Sequence, residues 1–534
     1  MGTLIRQLTA KDASAWHELM KAWLGQDHPD RRVYDLAWAN QQFVSPGGLE
    51  TWGAEVDGAL HAAVSVIPPS SAHRKSVLNA GRFISRPESY TNGTAATLWG
   101  KVIRMAEERR QLVVTRVLAS DNEHQAVCEQ LGFSCVGFQP FQHMLRHREG
   151  VLYYLRLARA DMVSRQPLSE SLSQVSELAT TVLDNLKLPQ PTSVRDGVTG
   201  YPLQAETEFQ DATHEEYKTH RAQAQSANPP TEISGALNIG WGLFRTTPGE
   251  PLRAIIARRG GVVTAGLAYL FDEYDRCLRV VEQFATDDLS PGTIVQRAVT
   301  LAQDKFNAVY IEVDILMTAP RLLKSIEQLG FVPVAYLPST FSAGLDHIDV
   351  VKMVKLNMAY GQENARLTAH AKSIADIIDR MFQDQKVGVA IINLLRALPI
   401  FNGLGDGELR KISRLFTQKL YKAGERVFAK GDSGSEAYVV MRGQVDIILD
   451  DQDKPIATMG NGQILGELAF LDGAQRVAEA VVSHPSILLV VQRTAFNDLV
   501  HREPHLGMVV MRNIALELSN RLRRANLAMS SLRH

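Results

Sequence analysis

The sequence has few cysteines and no surplus of charge of either sign. Only three cysteines, Cys128, Cys135 and Cys277, occur among 534 residues, and none is paired at CxxC spacing. This excludes a disulfide framework and a structural zinc site, and it favours a reducing compartment. Basic residues number 57 and acidic residues 58, so the chain lacks the excess of Lys and Arg that nucleic-acid phosphates require. We expect no DNA partner and no bound metal.

Long hydrophobic runs are also missing. The apolar stretch Ile487 to Val491 is far shorter than the roughly 20 residues that cross a bilayer. Charged residues interrupt the first 19 positions, which is unlike a signal peptide. The phosphate-loop, HExxH, GxSxG and dinucleotide-binding patterns are absent from the sequence as well. We therefore expect a cytoplasmic protein without a membrane span.

Two stretches of the sequence share one order of predicted elements, β-α-β-β-β-α-β-α-β. Cys128-Glu-Gln-Leu-Gly-Phe133 in the first stretch is repeated as Ile326-Glu-Gln-Leu-Gly-Phe331 in the second. Asn92-Gly-Thr94 is likewise repeated as Pro291-Gly-Thr293, at a comparable distance before the first motif. The sequence therefore predicts an internal duplication.

The C-terminal part of the chain has a different period. Between residues 400 and 500, short β-prone runs alternate with regularly spaced glycines, which is typical of a small barrel or jelly roll. A long helical pattern at 361–396 precedes it, and an apolar-faced helix at 504–526 follows.

These patterns predict five segments and a mixed α/β (α+β) fold class. Two mixed-sheet domains, residues 1–160 and 200–358, are joined by a helical linker at 161–199. A connecting helix at 359–398 leads to a β-roll or jelly-roll domain with flanking helices at 399–534.

The most specific motif is Gly466-Glu-Leu-Ala-Phe-Leu-Asp-Gly-Ala-Gln-Arg476. A carboxylate can accept from a ribose hydroxyl, and a guanidinium nine residues later can hold phosphate oxygens. Backbone N–H groups at the start of a short helix would add to anion binding. The pattern suits a ribose-phosphate ligand.

This motif, with the glycines at Gly424, Gly431 and Gly443, resembles the cyclic-nucleotide-binding domain family over about 130 residues. The resemblance implies that Glu467 binds the ribose 2′-hydroxyl and that Arg476 binds the cyclic phosphate. It assigns the remaining phosphate oxygens to the backbone at Gly466, Leu468 and Val477. Since Val477 has no hydroxyl, cAMP is favoured over cGMP. An orphan domain of the same shape without a ligand is the alternative.

The duplicated region resembles tandem domains of the GNAT family of acyl-CoA-dependent N-acyltransferases. The resemblance implies acetyl-CoA or another acyl-CoA as cofactor and a protein or small amine as acceptor. In that family the pyrophosphate binds at a helix N-terminus. Here the corresponding residues are Gly93, Thr94 and Ala95 in the first copy, and Gly292 and Thr293 in the second. The shared Gly-Thr could also be a plain helix cap.

Three residues are candidates for the chemistry. Cys128 stands where the family often has a tyrosine that protonates the thiolate, although a small buried cysteine is the alternative. Glu282 and Glu312 lie in predicted strands, where a carboxylate is costly unless it is paired or functional. We consider them as general bases, or as ion-pair partners of Arg279 or Arg276.

Together these features lead to one hypothesis and one competitor. The hypothesis is an acyl-CoA-dependent N-acyltransferase that is controlled by a cyclic nucleotide at the C-terminal domain through the 361–396 helix. The competitor is a non-catalytic sensor or scaffold with degenerate GNAT folds. Flanking helices of such a barrel also make a homodimer possible.

Overall fold

The computed structural model describes residues 2–26, 28, 30–44, 50–67, 75–145, 147–157, 165–166, 168, 170–195, 198–204, 206–225, 232–233, 252–344, 346–358, 360, 365–449 and 455–531. They form two compact units, residues 1–382 and 383–534. Parts of the predicted linker at 161–199 lie outside the described residues.

The N-terminal unit begins with seven strands and five helices. In chain order they are β1 (Leu4–Gln7), α1 (Ala13–Leu24), α2 (Leu36–Val44), β2 (Glu50–Val56), β3 (Ala59–Ile67), β4 (Val77–Ser85), α3 (Glu88–Thr91), α4 (Thr94–Glu108), β5 (Leu112–Leu118), α5 (Asn122–Gln130), β6 (Ser134–Met144) and β7 (Arg148–Arg156). We call this set the first repeat.

A short connection and a second set of the same kind follow. The connection contains β8 (Glu170–Leu172), α6 (Ser173–Asn185) and β9 (Ser193–Arg195). The second repeat consists of β10 (Glu208–Ala212), α7 (His214–Gln225), β11 (Arg253–Arg259), β12 (Val262–Asp272), β13 (Cys277–Ala285), α8 (Pro291–Asp304), β14 (Tyr310–Leu316), α9 (Pro320–Gln328), β15 (Val332–Ala343) and β16 (Asp346–Leu356).

The two repeats build one continuous sheet. Its order is β1-β2-β3-β4-β5-β7-β6-β15-β16-β14-β13-β12-β11-β10, so the second half mirrors the first. The halves meet where Gly137 of β6 pairs with Ala335 of β15. A side chain at Gly137 would overlap Ala335, which explains why this position is glycine. The mirrored order agrees with the internal duplication that the sequence predicts.

Two-residue turns join neighbouring strands in the outer part of each repeat. Asp57 and Gly58 join β2 to β3 with φ values of 51° and 79°, and Gly260 and Gly261 join β11 to β12 with 57° and 79°. Two successive positive φ values define the turn that matches the twist of a two-residue hairpin. Each dipeptide therefore closes a tight hairpin, β2–β3 in the first repeat and β11–β12 in the second.

Each repeat contains one parallel strand pair that separates toward its carboxyl end. The pairing of β4 with β5 ends at Ala80 and Thr115, although β4 continues to Ser85. The pairing of β13 with β14 ends at Val280 and Val313, although β13 continues to Ala285. We call these two openings the first and second wedge. They position the candidate residues of the duplicated region.

The helix α10 (Ala369–Ala397) follows the second repeat. The sequence predicts its start at residue 361, but in the structure Thr368 precedes the first turn and its hydroxyl accepts from Ala371 N at 3.2 Å. This side-chain cap sets the beginning of the helix.

The C-terminal unit is a small β-roll between helices. Its elements after α10 are α11 (Asp406–Ser413), β17 (Phe416–Tyr421), β18 (Arg426–Phe428), β19 (Glu436–Ile448), β20 (Ala457–Met459), β21 (Ile464–Leu465), α12 (Glu467–Asp472), β22 (Glu479–Gln492), α13 (Arg493–Arg502) and α14 (Pro504–Ser531). Long strands β19 and β22 pair with each other and with the four short strands. The predicted barrel is confirmed, whereas α13 was not predicted.

Candidate functional site

The glycine-bounded helix α12 forms one wall of the candidate site. Gly466 precedes it with φ 77°, and Gly473 ends it with φ 75°, so both ends use a conformation that favours glycine. A side chain at Gly434 would overlap Ala469 and approach Ala474 O to 2.8 Å. Glycine at this point lets α12 pack directly against the loop before β19.

Arg476 lies behind this helix and is only 4% exposed. Its Nη1 donates to Gly466 O at 2.7 Å, and its Nη2 donates to Glu436 O at 2.6 Å. The backbone is fixed too, because Arg476 N donates to Asp432 O at 2.8 Å and Gly431 N donates to Arg476 O at 2.8 Å. The structure therefore brings Gly466 and Arg476 together, as the sequence predicts.

The guanidinium of Arg476 is not fully satisfied by these partners. It lies over the rings of Phe428, at 4.3 Å from the centroid, and Tyr438, at 5.9 Å. Burial lowers the pKa of Arg476. Its Nε is buried and has no hydrogen-bond partner in the described part of the chain. Burying such a donor is costly, so an anion would be bound favourably here.

The other predicted nucleotide-binding residues, Glu467, Leu468 and Val477, are neighbours of Gly466 and Arg476 in the sequence. Glu467 is the first residue of α12. Its negative charge raises the pKa of Arg476 and so partly offsets the effect of burial. The side chains of Leu468 and Val477 are 46% and 62% exposed, which is unusual for large apolar residues. The site thus combines a buried cation, a carboxylate and exposed apolar side chains.

An apolar cavity with about 630 Å³ of empty space, its open mouth included, is lined in part by α12. Among the described residues of its lining, Glu467 alone is charged; the others are Ile400, Phe401, Ile412, Phe416, Ala437, Ile464, Phe470, Leu471, Val491, Phe496 and Ile514. The cavity leaves room beside α12 in the C-terminal unit.

The segment that contains this site is similar to known proteins. Residues 418–503 match the family described as cyclic nucleotide-binding domain. The chain carries a C-terminal cyclic nucleotide-binding domain. The match includes Gly466, Glu467 and Arg476, which lie in the segment that the sequence singles out.

Individual relatives match the same kind of domain. The chain is 33% identical over 141 residues to the cyclic AMP receptor protein of Thermus thermophilus, covering 26% of this chain and 63% of that protein. It is 30% identical over 101 residues to the cAMP-dependent protein kinase regulatory subunit of Eremothecium gossypii, covering 19% and 22%. The crystal structure of Thermus thermophilus catabolite activator protein matches at 33% identity and a TM-score of 0.23, covering 25% and 62%. The chain thus spans less than two thirds of each of these relatives.

In the first repeat, no other described segment covers the glycine at the start of α4. Gly93 precedes this helix with φ 79°, and no atom of the described residues, its own chain neighbours aside, lies within 4 Å of the place where a Cβ would stand. Asn92 Oδ1 accepts from Thr94 N at 3.0 Å. The side chains of Thr94 and Ala95 are buried. Gly93 and Asn92 are therefore the parts of this helix start that another molecule could reach.

An aromatic cluster surrounds Phe83, which lies on β4 beyond the last pair with β5. Tyr90 donates its hydroxyl to Asp121 Oδ2 at 2.8 Å. His124 lies with its ring 4.3 Å from that of Phe83 and 5.7 Å from that of Trp99. Burial lowers the pKa of His124 to about 4, and its buried Nε2 has no partner among the described residues. Asp121 also caps α5, because its Oδ1 accepts from His124 N at 3.0 Å.

In the second repeat the corresponding helix start is covered by the chain itself. Gln204 N donates to Thr293 Oγ1 at 3.0 Å. A Cβ on Gly292 would lie 3.2 Å from Tyr201 O and 3.5 Å from Leu203 Cδ2. The second wedge is also occupied, because Ile233 pairs with Ile315 of β14. Own-chain residues therefore stand where the sequence predicts cofactor contacts for this copy.

The three candidate catalytic residues lie apart and are differently enclosed. Cys128 in α5 is fully buried, and burial raises the pKa of its thiol well above its usual range. Glu282 in β13 forms an ion pair with Arg221 of α7, and its side chain is 23% exposed. Arg221 was not among the partners that the sequence suggested.

Glu312 in β14 is 1% exposed and forms an ion pair with Arg279. It also accepts from Gln139 Nε2 at 2.6 Å, and Gln139 Oε1 accepts from Tyr153 OH at 2.5 Å. This network joins the two repeats across the middle of the sheet. Pairing stabilises a carboxylate that would otherwise be too costly to bury.

No helix among the described residues is both long enough and apolar enough to cross a membrane.

Proposed function

We propose that this protein is a cyclic-nucleotide-controlled, acyl-CoA-dependent N-acyltransferase whose effector is cAMP. The observation that carries the nucleotide part is the buried Nε of Arg476, which lacks a partner among the described residues. A cyclic phosphate would supply the missing acceptor, and the guanidinium would keep its orientation on Phe428.

The remaining contacts of the nucleotide follow from the same geometry. Glu467 would accept from the ribose 2′-hydroxyl, and backbone N–H groups at Leu468 and Val477 would reach phosphate oxygens. The exposed side chains of Leu468 and Val477 offer apolar surface to a purine. Because Val477 has no hydroxyl for the guanine edge, we favour cAMP.

For the acyl-CoA we propose the first repeat. Its α4 start is open at Gly93, and the parallel strands β4 and β5 separate beside it. A helix N-terminus attracts pyrophosphate, and the first wedge would receive the pantetheine arm. At the second repeat, Gly292 and Thr293 are in contact with residues 201–204, which does not fit a cofactor.

When bound, an acyl-CoA supplies the activated thioester, and this chain supplies positioning and proton transfer. Glu282 lies on β13 of the second repeat, six strands from β5 in the sheet, and is ion-paired with Arg221, so we do not propose it as the base for a thioester in the first wedge. Glu312 orients Arg279 and Gln139. Cys128 could give a proton to the departing thiolate only if the wedge opens to it, since it is fully buried.

A non-catalytic cyclic nucleotide sensor is the second candidate. It is favoured by the ion pairs at Glu282 and Glu312, the buried Cys128, and the covered helix start of the second repeat. In this case the repeats would serve as a docking scaffold for a protein or metabolite.

Ligand-dependent thermal unfolding of the full chain separates these possibilities. A ligand at about 100 times its Kd stabilises the native state by roughly 2.7 kcal/mol. We expect cAMP and acetyl-CoA each to raise the unfolding temperature, and cGMP to do so less. Arg476→Lys should abolish the cAMP effect, whereas Arg426→Lys, at an exposed arginine of the same sheet, should keep it. An effect of cAMP alone would favour the sensor.

A homodimer is part of the proposal. Among the described side chains of helix α14, large apolar ones are exposed at Met508 (64%), Met511 (42%) and Leu516 (53%). A second copy of the same helix would cover them.

A further inference from the structure

The chain enters α10 through a segment that is fastened to α5 of the first repeat. Arg366 N donates to Ala119 O at 2.8 Å, and Arg366 O accepts from Gln125 Nε2 at 3.1 Å. Thr368 N donates to Gln125 Oε1 at 3.0 Å. Gln125 is fully buried, so both ends of its amide are used to hold this segment.

A second set of bonds continues the attachment at the helix start. Thr368 Oγ1 donates to Glu129 Oε1 at 2.5 Å. Glu129 Oε1 also accepts from Tyr154 OH at 2.8 Å. Cys135 N donates to His370 Nε2 at 3.0 Å. We call Gln125, Glu129 and Thr368 the clamp. It connects α5 to the residue before α10 by partly buried side-chain hydrogen bonds.

Apolar packing strengthens the same attachment. The first half of α10 buries Ala371, Ile374, Ala375, Ile377 and Ile378 in the core of the N-terminal unit. Near its other end, α10 buries Ile391, Ile392 and Leu395 in the core of the C-terminal unit. The boundary between the two units, after Phe382, therefore lies within α10.

The helix that receives the clamp also borders the first wedge. Asp121 at the start of α5 accepts the Tyr90 hydroxyl, and His124 on its first turn packs on Phe83 and Trp99. The open Gly93 at the start of α4 lies three residues after Tyr90 in the sequence. A shift of α5 would change the Tyr90–Asp121 bond and the environment of the buried Nε2 of His124.

We propose that the clamp transmits nucleotide occupancy from α10 to the first wedge, so that cAMP controls acyl-CoA binding in the first repeat rather than the second. This inference rests on the proposed function, because it assumes a nucleotide in one unit and a cofactor in the other. Two sites are coupled when one element has different positions that each ligand favours differently, and α10 with α5 is that element.

The tryptophans provide a reporter that is independent of acyl-CoA. All six, Trp16, Trp23, Trp38, Trp52, Trp99 and Trp241, precede residue 242, so none belongs to the C-terminal unit. Trp99 touches His124 of α5. We expect cAMP to change the tryptophan fluorescence of the full chain, and Trp99→Phe to remove most of that change.

Hydrogen exchange with and without cAMP then tests the route. We expect altered protection at 119–131 and 365–378, with residues 320–328 of α9 unchanged as the internal control. Thr368→Val should remove the response at 119–131, because valine cannot donate to Glu129, and Thr368→Ser should restore it. Both variants should bind cAMP as the wild type does.

The outcomes distinguish failure of the clamp from failure of nucleotide binding. Protection at 464–478 without any change at 119–131 would overturn the clamp while leaving nucleotide binding intact. A response that persists in Thr368→Val would also overturn it. If cAMP protects nothing at 464–478, the proposed function fails and the clamp fails with it. If the clamp responds but acetyl-CoA does not bind, the route from α10 to the first wedge stands, whereas the control of acyl-CoA binding is overturned together with the acyltransferase proposal.

Discussion

The guanidinium of Arg476 donates to the carbonyl of Gly466, which stands ten residues earlier at the head of α12. The contact is close because Gly466 has no side chain: a Cβ there would overlap Arg476 Nη1. One glycine thus serves two purposes, the left-handed turn before α12 and the space for the arginine.

Gly466→Ala tests whether Arg476 needs the space that the missing side chain of Gly466 leaves. A control variant measures the cost of the left-handed turn alone. We expect a loss of about 1 kcal/mol of stability from the positive φ alone. Displacement of Arg476 should in addition weaken cAMP binding by about tenfold or more, corresponding to about 1.4 kcal/mol. Calorimetric titration of the full chain with cAMP measures this.

Gly462→Ala is the matched control. Gly462 has φ 78°, but the nearest atom to its Cβ position is Leu394 Cδ1 at 3.9 Å. It should lose similar stability and keep its cAMP affinity. Equal affinities in the two variants would contradict the role of the Gly466–Arg476 contact.

A second pair of glycine variants tests the joint between the repeats. A Cβ at Gly137 would lie 2.5 Å from Val334 O and overlap Ala335. Gly137→Ala should lower the free energy of unfolding of the N-terminal unit by about 1–3 kcal/mol through overpacking. Urea unfolding followed by tryptophan fluorescence reports on this unit alone, since all six tryptophans precede residue 242.

Gly100→Ala is the control, and we expect it to raise the stability of the N-terminal unit rather than lower it. Gly100 lies inside α4, and its nearest neighbour, Arg104 Nη1, is 3.6 Å away. Removing a helical glycine there should stabilise the unit by about 0.5–1 kcal/mol. A Gly137→Ala protein as stable as the wild type would show that the two repeats do not meet as closely as described.

His124 makes the stability of the N-terminal unit depend on pH. Burial lowers its pKa from 6.5 to about 4, so the unfolded chain binds more protons than the native one between these values. Its contribution is therefore present above pH 6.5 and is lost as the pH falls toward 4, by roughly 3 kcal/mol at most.

His124→Phe keeps a ring on Phe83 and removes the titrating group. Urea unfolding at a series of pH values should show a smaller loss between neutral and acidic pH in the variant than in the wild type. Identical pH profiles would mean that the His124 ring is not enclosed in the native state.

The exposed side of α14 yields a prediction about assembly. Met508→Glu combined with Met511→Glu should turn a dimer into a monomer in sedimentation, because charges replace the apolar contact surface. Leu420→Glu, at a side chain that is 77% exposed on β17, is the control and should leave the sedimentation unchanged. A wild-type protein that is monomeric at all concentrations would contradict the proposed dimer.

Local sequence signals predicted much of the fold because they act over short distances. Asp57-Gly58 specifies a hairpin through its own φ values, and Asp121 caps α5 by accepting from His124 N at 3.0 Å. Gly466 and Arg476 could be paired because their spacing fits one helix and one turn. Such signals need no knowledge of distant chain segments.

Long-range partners could not be predicted in this way. Glu282 pairs with Arg221, 61 residues earlier in the sequence, rather than with the nearby arginines that the sequence suggested. The covering of Thr293 by Gln204 bridges 89 residues. The bonds from Thr368 to Gln125 and Glu129 bridge 243 and 239 residues. Tertiary packing decides these contacts, and no local pattern encodes them.

Calorimetric titration of acetyl-CoA into the full chain, with and without saturating cAMP, tests the central proposal most directly. We expect the Kd for acetyl-CoA to change by about fivefold or more when cAMP is present, a coupling of about 1 kcal/mol or more. The change should be absent in Arg476→Lys and retained in Arg426→Lys. An acetyl-CoA affinity that is the same with and without cAMP in a chain that binds both, or no acetyl-CoA binding at all, would contradict it.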